Sequence, residues 1–505
     1  MANMASIGAI LLQNLALVPV LLHYWNADSY GLWITVLAVQ SLLFTANYGQ
    51  ETYVGNEAAR LLHQDREALP SMIGAGIFLG LALTVAELLI VCGIELLHFY
   101  GLGDIVSAGA QNVWLPLAII VGCWIGFGST ANVLIRVTYA LGHYSKFTLF
   151  TVASRILVTV AVAVAAFLKC GLWGAAVAYG LATVLSQAFL MIMALRTLRE
   201  HNVSISRPRP ALVFGVLKNS LVISGTSLLD GFSNSGLLAI ISGVLAPRVV
   251  PSFSTLRTIA NTANQGVGII MHPLGPDLIR FRANKEFRKL QEVFSVCWAT
   301  AGTAINFGLC VLPLFIEPVY RLWTRGKLAF DFPLFSLLAL SVAFRTFGHP
   351  GLAFLQSTNA LKAQAKISVT RGVLVIALSL ALIYPFGLLG VGAALAISEI
   401  IGAAILPLAY AMADFKHGES PFPYRRMATA ASSVGVVAIS FAACCLFPAF
   451  KVPISSVSAA AVLVLGFLQW SLLDFETRRR MLSILHLPKW LDRNFLSTAR
   501  VKTAI

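Results

Sequence analysis

The sequence predicts an all-α polytopic membrane protein of about fourteen transmembrane helices, arranged as two parallel six-helix repeats around a central cleft plus two extra helices. Three observations predict this. The first is composition: of 505 residues, 58% are apolar and only 11% are charged, with a mean hydropathy of +0.81. A soluble domain carries about a quarter charged residues. The second is the recurrence of apolar runs of about twenty residues, each enough for a helix to cross roughly 30 Å of hydrocarbon; the alternating pattern of a membrane barrel is absent. The third is a doubled stretch. GLWGAAVAYG from Gly171 and GLLGVGAALA from Gly387 stand 216 positions apart (387 − 171). At the same offset Lys146 matches Lys362 and Arg155 matches Arg371, so that SKFTLFTVASRILV pairs with LKAQAKISVTRGVL. Two matched basic positions are harder to obtain by chance than matched Gly, Leu and Ala, and the register marks an internal repeat roughly two hundred residues long.

In chain order the apolar runs place spans at 5–22, 31–49, 71–93, 112–135, 147–168, 172–195, 215–243, 251–272, 293–316, 332–355, 367–386, 388–411, 428–448 and 452–473. The first lacks the positive leader and small-residue cleavage site of a signal peptide and reads as a retained span. The seventh is long and rich in Gly and Ser. Six spans fall in an N-terminal bundle, 1–200, and six in a C-terminal bundle, 210–411. Two additional helices occupy 428–473, and a basic tail covers 474–505. In that tail Leu482, Ile484, Leu487 and Trp490 lie among basic residues, the pattern of an amphipathic helix on an anionic leaflet.

Lys and Arg fall in alternate connections. Roughly 28 lie on one side, from Arg60 and Arg66 through Arg196–Lys218, Arg280–Lys289 and Arg425–Arg426 to the tail. On the other side are 6: Lys169, Arg248, Arg321, Arg325, Lys327 and Lys451. This positive-inside bias puts both termini in the cytoplasm. The net charge of +15 is thereby a topology signal, and no soluble basic face is present to bind nucleic acid.

Seven cysteines without a CxxC, and nine scattered histidines without HExxH, imply no disulfide framework, metal or cofactor. GxxxxGK[ST], GxSxG and a paired-carboxylate loop are also missing. The outer connections are too short for a soluble catalytic domain, which weighs against an enzyme.

Ionisable residues inside apolar spans are the remaining signal, because a charge at the bilayer centre costs at least about 2.5 kcal/mol. Arg257 sits in STLRTIANTANQG, where Asn261 and Asn264 follow at i+4 and i+7 and share its face. With Thr258 and Gln265 they would line a wet interior. Arg345 lies mid-span in LSVAFRTFGHPG, too deep to reach the interface. Asp230, Glu399 and Glu87 are the acidic counterparts. Asp230 and Arg257 read equally well as a structural ion pair, and Glu87, in apolar surroundings, reads as a shielded structural residue. Lys146 and Lys362 mark cytoplasmic helix ends. Parallel repeats build a cleft that opens alternately to either side, with its site near the midplane. Arg257 and Arg345, flanked by Arg155 and Arg371, would make that cleft cationic and suited to a multiply charged anion such as a diphosphate.

The chain resembles the Wzx-type polysaccharide and O-antigen flippases, in the larger group that includes multidrug/toxin extruders and lipid II flippases. PVLLHYWNADSYGLWITVLAVQSLL is similar to that family's first hairpin. APRVVPSFSTLRTIANTANQG with HPLGPDLIRFRANKEFRKLQ is similar to its eighth helix and following basic loop, and YALGHYSK and LQSTNALKAQAK to its short polar turns. Asp230 stands where many members carry an acidic residue. The chain departs from the family at Tyr48-Gly49, where Asp often precedes Gly, and at Pro251 and Phe253, where Gly-Tyr is common. The resemblance implies a bacterial inner-membrane protein that moves a polyprenyl-diphosphate-linked oligosaccharide to the outer leaflet for polysaccharide biosynthesis. Its diphosphate would be held by Arg257, Arg345, Arg155 and Arg371 with Asn261 and Asn264. Asp230 and Glu399 would couple transport to a proton or cation gradient. The rivals are a multidrug cation antiporter of the same architecture, expected to have an anionic cleft, and a membrane-embedded glycan polymerase or ligase.

Overall fold

The computed structural model describes residues 2–99, 113–125, 127–271, 278, 281–282, 284–358, 360–415 and 422–478. Among these residues the chain is helical almost throughout, with no strand. The helices are α1 Ala2–Tyr24, α2 Ala27–Gln64, α3 Leu69–Phe99, α4 Trp114–Trp124, α5 Gly128–Ala140, α6 Tyr144–Phe167, α7 Gly171–Glu200, α8 Pro210–Gly231, α9 Leu237–Val244 and α10 Val250–Met271. They continue as α11 Phe287–Cys297, α12 Thr303–Val311, α13 Ile316–Trp323, α14 Phe332–Ser357, α15 Leu361–Glu399, α16 Leu406–Phe415, α17 Tyr424–Leu446 and α18 Lys451–Ser471. Single π-helical turns, Phe232–Gly236, Trp298–Gly302 and Ile400–Ile405, join α8 to α9, α11 to α12 and α15 to α16.

This is a multi-pass membrane protein. Among the described residues ten helices are long and apolar enough to cross a bilayer, or eleven if α4 and α5, bent by 46°, form one span. The difference from about fourteen has physical causes. Lys362–Ala413 is one apolar run, yet Gly387 at φ 56°, ψ −134° breaks α15 between the expected spans 367–386 and 388–411. The apolar part of α1, Gly8–Tyr24, is short, and α10 carries too many polar residues to be among the ten. Most of the basic loop 272–283, and the tail beyond Arg478 with its expected amphipathic helix, lie outside the described residues.

The chain forms two compact units. The first takes Met1–Thr262, Ile316–Leu338 and Ser368–Ser398; the second takes Ala263–Phe315, Ala339–Ile367 and Glu399–Ile505. In the first, Val54, Leu61, Leu69, Ile73, Leu134 and Phe147 belong to a core drawn from α2, α3, α5, α6 and α7. In the second, Phe294, Trp298, Phe354, Leu408, Phe415 and Phe422 pack ring to ring and against leucine. Large apolar side chains also point outward, among them Leu185, Phe214, Ile439, Leu446 and Val457. Such exposure is expected when lipid, not water, covers the surface.

Local chemistry explains the hairpin motif WNADSYGLW. Asn26 caps α2, its Oδ1 accepting from Ser29 N at 2.8 Å. Tyr30 and Trp33 are buried. Gly31 is the point of closest approach, since a Cβ there would strike the Pro247 carbonyl oxygen. In the second unit Gly348 plays the same part: a Cβ would collide with the Ala403 carbonyl, so α14 lies tight on the π turn after Glu399.

Candidate functional site

Arg257, seven residues into α10, joins that helix to the π turn 232–236. Its Nη1 donates to Asn234 O at 2.7 Å, and its Nη2 donates to Ser233 O and to Asn234 Oδ1, both at 2.9 Å. The Phe253 ring lies 6.0 Å from the guanidinium. A π turn loosens the backbone ladder and turns carbonyls outward, and a planar guanidinium can meet two such acceptors at once. Arg257 is half-buried.

Asp230 stands in the last turn of α8, two residues before that π turn. Its Oδ1 faces Arg371 Nη1 at 3.4 Å; the Arg371 side chain is 9% exposed and that of Asp230 49%. The structure thus brings Asp230 to Arg371, the arginine matched to Arg155 in the repeat. Asn234 Nδ2 donates to Asp230 O at 3.1 Å, so Asp230, Asn234, Arg257 and Arg371 form one polar group within the first unit.

Asn261 is half-buried on α10. Asn264 lies on the same helix, but its side chain is outside the described residues. The hydroxyls of Thr258 and Thr262 donate to the carbonyls of Ser254 and Thr258, each at 2.8 Å. These threonines satisfy themselves on their own helix and offer no free donor to a cargo. Arg155 is half-buried on α6, within electrostatic reach of Tyr179, whose hydroxyl accepts from Gln40 Nε2 at 3.1 Å. Arg345 and Glu399 belong to the second unit. Arg345 is half-buried in α14, and Glu399 is 3% exposed at the end of α15, directly before the π turn 400–405. Both acids expected to couple transport therefore precede a π turn, a feature that periodicity does not reveal. Lys146 and Lys362 are exposed in the first turns of α6 and α15.

The sequence reading missed a second polar group, in α2, α3 and α5. Asn132 Nδ2 donates to Glu51 Oε1 at 3.0 Å, and Asn47 Nδ2 donates to Glu87 Oε1 at 2.9 Å. Glu51 and Glu87 are both buried. The span drawn at 31–49 ended two residues before Glu51, whereas α2 runs on to Gln64. Asn47, Gln50 and Glu51 at i, i+3 and i+4 were the available signal.

No family model and no curated protein matches the sequence. Solved structures do match in fold. An inward-facing multidrug resistance MATE family transporter of the MOP superfamily superposes with a TM-score of 0.62 at 16% identity, over 80% of this chain and 94% of that one. The lipid II flippase MurJ, in an inward closed conformation, gives 0.60 at 13% identity over 92% and 98%. The MATE multidrug transporter DinF-BH gives 0.57 at 18% identity over 82% and 94%. The fold is shared with these transporters. The likeness is shared between drug transporters and a lipid flippase, and does not single out the polysaccharide flippases.

Proposed function

We propose that this protein is a flippase that carries a polyprenyl-diphosphate-linked oligosaccharide from the cytoplasmic to the outer leaflet of a bacterial inner membrane. Transport would proceed by alternating access between the bundles 1–200 and 210–411, with both termini cytoplasmic and no catalytic step. The observation that carries this reading is the set of four arginines held within helices along the cargo path expected from sequence. Arg155, Arg257, Arg345 and Arg371 all lie half-buried or deeper within helices, where an arginine is too costly to keep without a role. Guanidinium groups grip diphosphate oxygens through paired charge-assisted bonds. Asn261 and Asn264 would add neutral donors, and Asp230 and Glu399 would answer a proton or cation gradient. The MATE neighbours favour a second reading, export of cationic drugs, and the buried carboxylates Glu51, Glu87 and Glu399 are the features that would serve it.

Reconstitution decides between them. In proteoliposomes the wild type should translocate a fluorescent polyprenyl-diphosphate glycan and leave a lipophilic cationic dye in place. Arg257→Ala should lose at least tenfold in rate, equivalent to about 1.4 kcal/mol, at unchanged protein content. Arg257→Lys should recover only part, since an ammonium lacks the planar fork. Dye movement without glycan movement would establish the drug reading instead.

A further inference from the structure

The second unit holds a small polar cavity among otherwise apolar helices. Its walls include Trp298 and Gly302 of the π turn between α11 and α12, Asn306 of α12, Thr346 of α14, Ser433 of α17 and Gln469 of α18. Gly466 lets α18 come this close to α12, since a Cβ there would strike the Thr303 side chain. Trp298 is fixed in the wall by its Nε1, which donates to Phe347 O at 2.9 Å. Asn306 and Gln469 are each 3% exposed and Trp298 2%.

The hydrogen bonds of this group do not close among the described residues. Asn306 Nδ2 donates to Ser433 Oγ at 3.0 Å, while the buried acceptors Asn306 Oδ1 and Gln469 Oε1 find no donor. A buried acceptor without a donor forfeits the hydrogen bonds it made with solvent. The Ser433 hydroxyl, accepting from Asn306, has its own hydrogen to give. The walls therefore ask for a ligand with two hydrogens to donate and a lone pair to accept. We propose that the cavity binds one water molecule, which donates to Asn306 Oδ1 and Gln469 Oε1, accepts from Ser433, and so joins α12, α17 and α18.

Size and charge select this ligand. The cavity offers about 10 Å³ to the centre of a water molecule, near the least that one water requires, and three polar partners are the usual number for a buried water. A larger ligand has no room. A metal ion or ammonium would bring its charge to walls without a carboxylate among the described residues, and an uncompensated charge is costly inside a membrane. Hydrocarbon would leave both acceptors unmatched. Reversing either amide puts an N–H in place of its oxygen, and water, an acceptor as well as a donor, answers that too. This inference does not rest on the proposed cargo, and its test needs no transport.

Millisecond X-ray radiolysis of the purified full-length protein in detergent, with oxidation read by mass spectrometry, is the test. Hydroxyl radicals form from water in place, so a buried side chain beside a bound water is oxidised. Trp298 should be oxidised in the wild type. After rapid mixing into water enriched in oxygen-18, its product should take up the isotope at least tenfold more slowly than that of Tyr424, an exposed residue at the start of α17. Asn306→Leu with Gln469→Leu replaces both acceptors by side chains of similar bulk. It should cut Trp298 oxidation at least fivefold and leave Tyr424 unchanged. Gln469→Met alone, gentler on the packing, should cut it at least twofold. Trp298 oxidised no faster in the wild type than in Gln469→Met means a dry cavity and overturns the proposal. Isotope uptake as fast as at Tyr424 means open solvent, and loss of oxidation when NaCl or KCl replaces choline chloride means an ion. Either result overturns it as well.

Discussion

The two copies of the repeat hold their matched arginines in different company. In the first copy Arg155 sits half-buried on α6, with Tyr179 as its electrostatic neighbour. In the second, Arg371 is buried on α15 and faces the carboxylate of Asp230 at 3.4 Å. α6 packs on α1, and α15 meets α8 where a Cβ on Gly372 would lie 3.0 Å from Leu229 Cβ. At the repeat offset Asp230 falls on Asn14 (230 − 216), an uncharged residue. What both copies keep is the turn. Gly171 has φ +66° and Gly387 has φ +56°, so the doubled GLxG marks the place where each copy must bend into a left-handed backbone before its next helix. The repeat preserves a backbone requirement and lets the charges diverge.

The glycines offer the strongest way to break that comparison. Gly387 lies close to a backbone region that only glycine occupies freely, so Gly387→Ala should destabilise by about 1–3 kcal/mol. Gly171→Ala should cost about 1–2 kcal/mol. Thermal unfolding of the purified variants measures both, and a neutral Gly387→Ala would remove the structural reason for the doubled motif. The charges come next. Asp230→Asn should cost about 1 kcal/mol or less, because half of its side chain is exposed and the pair is screened. Joint replacement with Arg371→Gln should return most of that loss, since removing both charges of a pair costs less than removing one. Tyr179→Phe, in the other copy, should cost about 0.5–1.5 kcal/mol through its bond with Gln40. If Arg155→Gln proved as sensitive to an Asp230 replacement as Arg371→Gln, the asymmetry between the copies would be lost. The smallest effect belongs to the matched lysines. Lys146→Gln with Lys362→Gln should leave stability within about 0.5 kcal/mol and act on insertion instead, read as membrane abundance.

The helical membrane class and the break near residue 387 were legible in the sequence, because apolar run length and glycine placement are local and each run reports its own solvent. The motif around Arg257 was legible as a polar anomaly for the same reason. Its partners were not. Arg257 meets the carbonyls of a π turn 23 and 24 residues away, and a π turn depends on how the backbone settles against its neighbours. Arg371 reaches Asp230 across 141 positions of chain, a distance no periodicity spans. The Glu51–Glu87 group was hidden for a related reason: its members look like scattered polar residues on three helices until folding brings those faces together. The sequence by itself determined which solvent surrounds the chain and where it must turn, since those follow from composition and backbone sterics. Only the tertiary structure decided which charge meets which, since that depends on the packing of helices far apart in the chain.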